Sequence, residues 1–129
     1  MSSNLETTKK GYDLFKQGDI SAFVKEIVDP TCTWISPGPQ DKLPWAGSFN
    51  GQHEIADFFA RAGQNLDFAD LALREMIEHG ETVVSMGTLS VLTGKAVKYD
   101  WVHIFKYNQG RIMFAQEYAD TAAFIPAMS

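Results

Sequence analysis

The chain has 129 residues, 45% hydrophobic and 21% charged, a balance that suits one folded domain over 1–129 with a core that needs no staples. Net charge is −5 and the eleven basic residues are scattered, with Lys9-Lys10 the only adjacent pair; this argues against nucleic acid and against a membrane surface as partners. The opening residues carry no apolar run, no window approaches a membrane span, and the single Cys32 permits no internal disulfide, so a cytoplasmic setting is expected.

The first element in chain order is a helix over 5–17, where Leu5, Tyr12 and Phe15 recur at near-helical spacing and Gly18 follows as a stop signal. Asp19 reads as the N-cap of a second helix whose apolar stripe is Ile20, Phe23, Val24 and Ile27, closed by Pro30. Strand formers fill 31–36, with Cys32, Trp34 and Ser36 on one side, and Cys32 reads as a small buried residue rather than a nucleophile. The stretch 37–47 holds three prolines and two glycines, which enforce an irregular loop, and Trp45 on it is a candidate lid over a pocket mouth.

Asn50 or Gly51 opens a third helix through about Arg61, with Ile55, Phe58 and Phe59 as its apolar stripe and Gly63 past its end. Residues 66–78 favour helix by propensity, yet Leu71, Leu73 and Ile77 alternate, and 82–91 needs a partner; strand is the reading. Turns are expected at His79-Gly80-Glu81 and Thr93-Gly94-Lys95. Three helices followed by long antiparallel strands argue an α+β fold with the helices packed on one sheet face.

The last third reads as a β-hairpin. Tyr99, Trp101, His103 and Phe105 share one face of its first strand, and Val102 and Ile104 share the other. If Asn108-Gln109-Gly110 is a three-residue loop, Tyr107 pairs with Arg111, Phe105 with Met113, His103 with Ala115 and Trp101 with Glu117. His103 and Glu117 are then diagonal neighbours within side-chain reach. An ionisable pair beside tryptophan is costly to bury unless satisfied, so this face is expected to line a polar-bottomed pocket. The opposite face, with Val102, Ile104, Phe114 and Tyr118, is too apolar for free solvent and is expected to bind a second copy of the chain.

Several phrases then carry a resemblance: Gly18-Asp19 after the first helix, Asp29…Trp34…Pro37-Gly38, the run from Leu43-Pro44-Trp45-Ala46-Gly47 to Asn50-Gly51, and Gly110-Arg111-Ile112…Glu117-Tyr118-Ala119-Asp120. Together, over almost the whole chain, they resemble the SnoaL-like, ketosteroid-isomerase-related branch of the NTF2-like superfamily. The resemblance implies a cone-shaped α+β barrel with three N-terminal helices on a strongly bent antiparallel sheet, an internal cavity and a homodimer through the outer sheet face. It implies less about chemistry, because isomerases, polyketide cyclases, epoxide hydrolases, dehydratases and non-enzymes share the fold. Where the isomerases carry an aspartate base this chain has Ile35 or Ser36, neither of which can take up a proton; His103 falls at their oxyanion-donor position. Tyr12 lies one residue out of register with their helix tyrosine, and Glu117 resembles the acidic position of the hydrolases and cyclases.

The resulting expectation is a small cofactor-free isomerase or cyclase acting on a hydrophobic carbonyl-containing or polycyclic molecule. Glu117 would move a proton and His103 would stabilise an oxyanion or orient Glu117. Tyr12, Trp34, Ser36, Trp45, Phe58, Tyr99, Trp101 and Met113 are the candidate substrate-binding residues. The rival is a non-catalytic ligand-binding or assembly module of the same fold. His53, His79 and His103 are too far apart along the chain to form a metal motif, and no phosphate-binding loop or nucleophile elbow appears.

Overall fold

A computed structural model describes residues 3–91 and 97–128. Helix α1 (Asn4–Gln17) starts on Ser3, whose hydroxyl accepts from the Glu6 amide at 3.1 Å, and stops on Gly18, which supplies the left-handed φ of 78° that ends the turn. Helix α2 (Ile20–Ile27) is capped by Asp19, which accepts from the Ala22 amide at 3.1 Å. It ends earlier than the sequence suggests, because Pro30 lies inside strand β1 (Val28–Ser36). The proline is tolerated there because the pairing of β1 with its neighbour is irregular between Val28 and Thr33.

A short strand β2 (Gly47–Asn50), not anticipated from the sequence, follows the proline-rich loop and leads into α3 (Gly51–Ala62). Four long strands follow: β3 (Leu66–His79), β4 (Thr82–Val91), β5 (Lys98–Asn108) and β6 (Arg111–Ala119). A short helix α4 (Thr121–Phe124) and a 3₁₀ turn (Ile125–Met128) close the described chain. The expected turn at Thr93-Gly94-Lys95 lies outside the described residues. The strands form one curved, open six-stranded sheet in the order β2-β1-β6-β5-β4-β3, in which only β1 and β6 run parallel. Among the described residues no helix is long and apolar enough to cross a membrane.

Helices α1 to α3 pack on the concave face through aromatic contacts. Phe15 meets Phe23 at 4.3 Å between ring centroids, Trp34 meets Phe59 at 5.1 Å, and Tyr12 stacks on Trp101 at 5.6 Å. The proline-rich loop does not form a lid. Leu43, Trp45 and Ala46 all join the core, Trp45 with 2% of its surface exposed, and Gln40 fastens the loop by donating to the Ala46 carbonyl at 3.0 Å. A tryptophan has more apolar area to bury than a loop tip can shelter, so the loop folds inward.

The hairpin register differs from the sequence expectation in a way that matters. Gln109 and Gly110 both adopt positive φ, 51° and 79°, so the connection is a two-residue turn with Asn108 opposite Arg111. Tyr107 then pairs with Ile112 and Lys106 with Phe114, so Met113 is the extra residue of a β-bulge. The bulge turns Met113 outward, 41% exposed, and re-aims the rest of β6 so that Ala115 faces Phe105 and Glu117 faces His103 directly.

Candidate functional site

The floor of the site is a row across the concave face. Ser85 on β4 pairs with His103 on β5, and His103 pairs with Glu117 on β6. Above the row, α1 brings Tyr12 down so that its Oη lies 2.6 Å from His103 Nδ1, while His103 Nε2 lies 2.9 Å from Glu117 Oε2. Trp101 lies flat against the imidazole at 4.1 Å and 16°, with Tyr12 nearly parallel at 5.8 Å. The ring is therefore held on both nitrogens and by aromatic stacking.

Burial also sets the charge state of the phenol in this series. Burial pushes the Tyr12 hydroxyl well above the ordinary tyrosine value of 10.0; the neighbouring Ser85 hydroxyl opposes that shift and the Glu117 charge adds to it. Tyr12 thus stays a protonated phenol beside Nδ1, able to donate to the ring nitrogen or to accept from it. A carboxylate has no proton to give, so toward an ionised Glu117 it is Nε2 that donates, across 2.9 Å. Ser85 perturbs the phenol by proximity, but its Oγ makes no hydrogen bond of normal geometry.

His103 and Glu117 line one cavity, walled by Trp34, Phe58, Phe59, Phe68 and Leu71 among others. About 30 Å³ of it is free to the centre of a water-sized sphere, and its empty space including the open mouth is about 420 Å³. The enclosed part holds about two waters. The Glu117 side chain keeps 17% of its surface exposed, so the carboxylate can be reached.

Of the residues nominated from sequence, His103, Glu117, Trp34 and Phe58 line this cavity, and Tyr12 touches it through His103. Ser36 is buried, 3% exposed, on the same face of the sheet. Trp101 backs His103, and Tyr99 is buried, its hydroxyl pushed upward by burial and then by the Glu117 charge. Two nominations are corrected: Trp45 is core rather than lid, and Met113 points to solvent because of the bulge. Sequence reasoning passed over Ser85, although it is the polar residue among the inward positions of the β4 alternation between Val83 and Leu89, a detectable signal. Among the described residues no three His, Cys, Asp or Glu side chains gather as a metal site.

The sequence profile of the SnoaL-like domain matches residues 9–114. Among solved structures, an NTF2-like protein of unknown function from Burkholderia pseudomallei is 26% identical, with a TM-score of 0.88 over 100% of this chain and 99% of that one. TerC, co-crystallised with polyporic acid, is 30% identical, with a TM-score of 0.85 over 98% of each chain. A Jannaschia sp. protein named as a SnoaL-like polyketide cyclase is 18% identical, with a TM-score of 0.83 over 98% of this chain and 91% of that one, a likeness of fold alone. No curated protein matches the sequence significantly.

Proposed function

The chain belongs to the SnoaL-like domain family, and from that premise we propose that it is a cytoplasmic, cofactor-free acid–base enzyme acting on a small hydrophobic molecule with an enolisable carbonyl group, of the isomerase or cyclase type. The observation that carries the reading is the hydrogen-bonded series Tyr12, His103, Glu117, which ends in a carboxylate on the floor of an apolar cavity. Glu117 takes the proton next to the carbonyl. His103 orients that carboxylate, and Tyr12 holds His103 in the tautomer that donates to it. TerC, co-crystallised with polyporic acid, supports a small organic ligand for this fold.

The test is exchange of the α-hydrogens of 2-tetralone in D₂O, followed by NMR. Exchange requires only proton removal and return, so the natural substrate need not be known. Glu117→Gln should lower kcat/KM by about 100- to 10,000-fold. An unchanged value removes Glu117 from the chemistry.

A second reading, a non-catalytic binding or assembly module, is favoured by the small free volume of about 30 Å³. It predicts no exchange by the wild-type protein. In both readings we propose a homodimer through the convex sheet face. Strand pairing aligns Ile77, Val84, Ile104, Gln116 and Ile35 across that face, with Tyr118 51% exposed beside them. Sedimentation should find a dimer at micromolar concentration and a monomer for Ile104→Arg; a monomeric wild type contradicts the proposal.

A further inference from the structure

An enolate formed above Glu117 needs a hydrogen-bond donor for its oxygen, because preorganised donors at developing charge are the main source of stabilisation in such reactions. His103 cannot serve while it orients Glu117. Its Nδ1 faces the Tyr12 hydroxyl at 2.6 Å and its Nε2 faces Glu117 at 2.9 Å, which leaves no N–H for a substrate.

Among the described residues, three buried side-chain polar atoms have no hydrogen-bond partner: Ser36 Oγ, Ser85 Oγ and Trp101 Nε1. A buried group left unpaired is unfavourable, and in a native fold it asks for an explanation. Ser85 lies on the far side of His103 from Glu117, and Trp101 gives its ring face to the imidazole, with the centroids 4.1 Å apart. Ser85 is thus separated from the carboxylate by His103, while Trp101 sits opposite Ala119, two residues along β6 from Glu117.

Ser36 is placed differently. Strand β1 runs parallel to β6 with Trp34 opposite Ala115 and Ile35 opposite Gln116, so the next step of the same register sets Ser36 beside Glu117. Both point to the concave face, as the alternating burial of Cys32, Trp34 and Ser36 requires. Trp34 and Glu117, its neighbours along and across the sheet, already line the cavity.

We infer that the Ser36 hydroxyl is the oxyanion donor of the site, a catalytic residue that receives the substrate carbonyl oxygen between β1 and β6. The inference rests on the reading of Glu117 as base. In the step it serves, the α-hydrogen leaves carbon as a proton and binds the Glu117 carboxylate. The C–H electron pair becomes a C=C bond, the carbonyl π pair moves to oxygen, and that oxygen accepts the Ser36 O–H. Return of the proton from Glu117 to carbon restores the resting carboxylate.

The experiment compares wild type, Ser36→Ala and Glu117→Gln in the 2-tetralone exchange assay, with melting temperatures for all three. Ser36→Ala should lower kcat about 100-fold with KM changed less than about threefold. Its melting temperature should stay level or rise, because the alanine removes a buried hydroxyl that has no partner in the resting protein. Wild-type kcat in Ser36→Ala, with Glu117→Gln inactive, overturns the inference and leaves the Glu117 reading standing. A fall in melting temperature without a selective loss of kcat marks the hydroxyl as structural and also overturns it. Absence of exchange in the wild type removes the enzymatic reading and this inference together.

Discussion

Tyr12→Phe isolates the bond on which the site's geometry depends. The phenylalanine ring keeps the contacts that Tyr12 makes with Trp101 at 5.6 Å and Phe105 at 6.1 Å, so little packing is lost. What disappears is the hydroxyl partner 2.6 Å from His103 Nδ1, in a position where Tyr12 is only 3% exposed and water cannot readily replace it. A buried polar group stripped of its partner costs about 1–3 kcal/mol. With an unfolding entropy of about 2.1 cal/mol/K per residue, a domain of this length loses about 4–11 °C in melting temperature. Urea unfolding followed by tryptophan fluorescence measures the change directly. Tyr107→Phe is the internal comparison: the Tyr107 hydroxyl lies 2.6 Å from Thr8 Oγ1, but Thr8 still donates to the Asn4 carbonyl at 2.8 Å, so Thr8 keeps a partner and the loss is smaller. A Tyr12→Phe stability within about 0.5 kcal/mol of wild type would refute the claim that Tyr12 satisfies His103.

Three further outcomes follow from the packing and the charges. Cys32 is fully buried and burial pushes its thiol up to about 12, so Ellman's reagent at pH 8 should react only after denaturation; prompt stoichiometric reaction of the folded protein contradicts this. Gly87→Ala would drive a methyl group into the Ala72 carbonyl and the Trp101 ring, and should destabilise by about 1–3 kcal/mol in denaturant unfolding; wild-type stability would show that β3 and β4 can part there. Asp29 is held below 3.8, first by the Thr31 side chain at 2.7 Å and then by the Thr31 amide at 2.8 Å. Because the folded value is depressed, its contribution is complete above the unfolded value and is lost as pH falls through the folded one. Thr31→Val should move the Asp29 titration up toward 3.8, measured by carboxyl ¹³C NMR, and should weaken the protein relative to wild type only above that range; an unmoved titration refutes the assignment.

The helices, the strands β4 to β6 and the inward face of β5 were legible from local periodicity, whereas β3, whose propensity favours helix, was legible only because β4 needs a partner. Tyr12, Phe15 and Gly18 define α1, and Tyr99, Trp101, His103 and Phe105 alternate as a strand requires. The pairing of His103 with Glu117 was legible only as a diagonal. Register depends on the turn, and Gln109 at a φ of 51° occupies a conformation that side chains rarely adopt, so Asn108-Gln109-Gly110 reads as a longer loop than it forms. The Met113 bulge is invisible for the same reason: nothing within β6 marks which residue is extra. Trp45 joined the core through contacts distant in sequence, and β2 is a four-residue strand that exists because Ser48 and Phe49 pair with Ile35 and Trp34. The role of His103 also became narrower in three dimensions, since both its nitrogens are engaged.

The most direct test of the account is a double-mutant cycle on kcat for 2-tetralone exchange, using Tyr12→Phe, Glu117→Gln and the pair. If Tyr12 acts through His103 on Glu117, Tyr12→Phe lowers kcat about 10-fold in the wild-type background and less than about twofold once Glu117 is glutamine. An equal loss in both backgrounds would mean that the three side chains do not work as one unit, and would contradict the account.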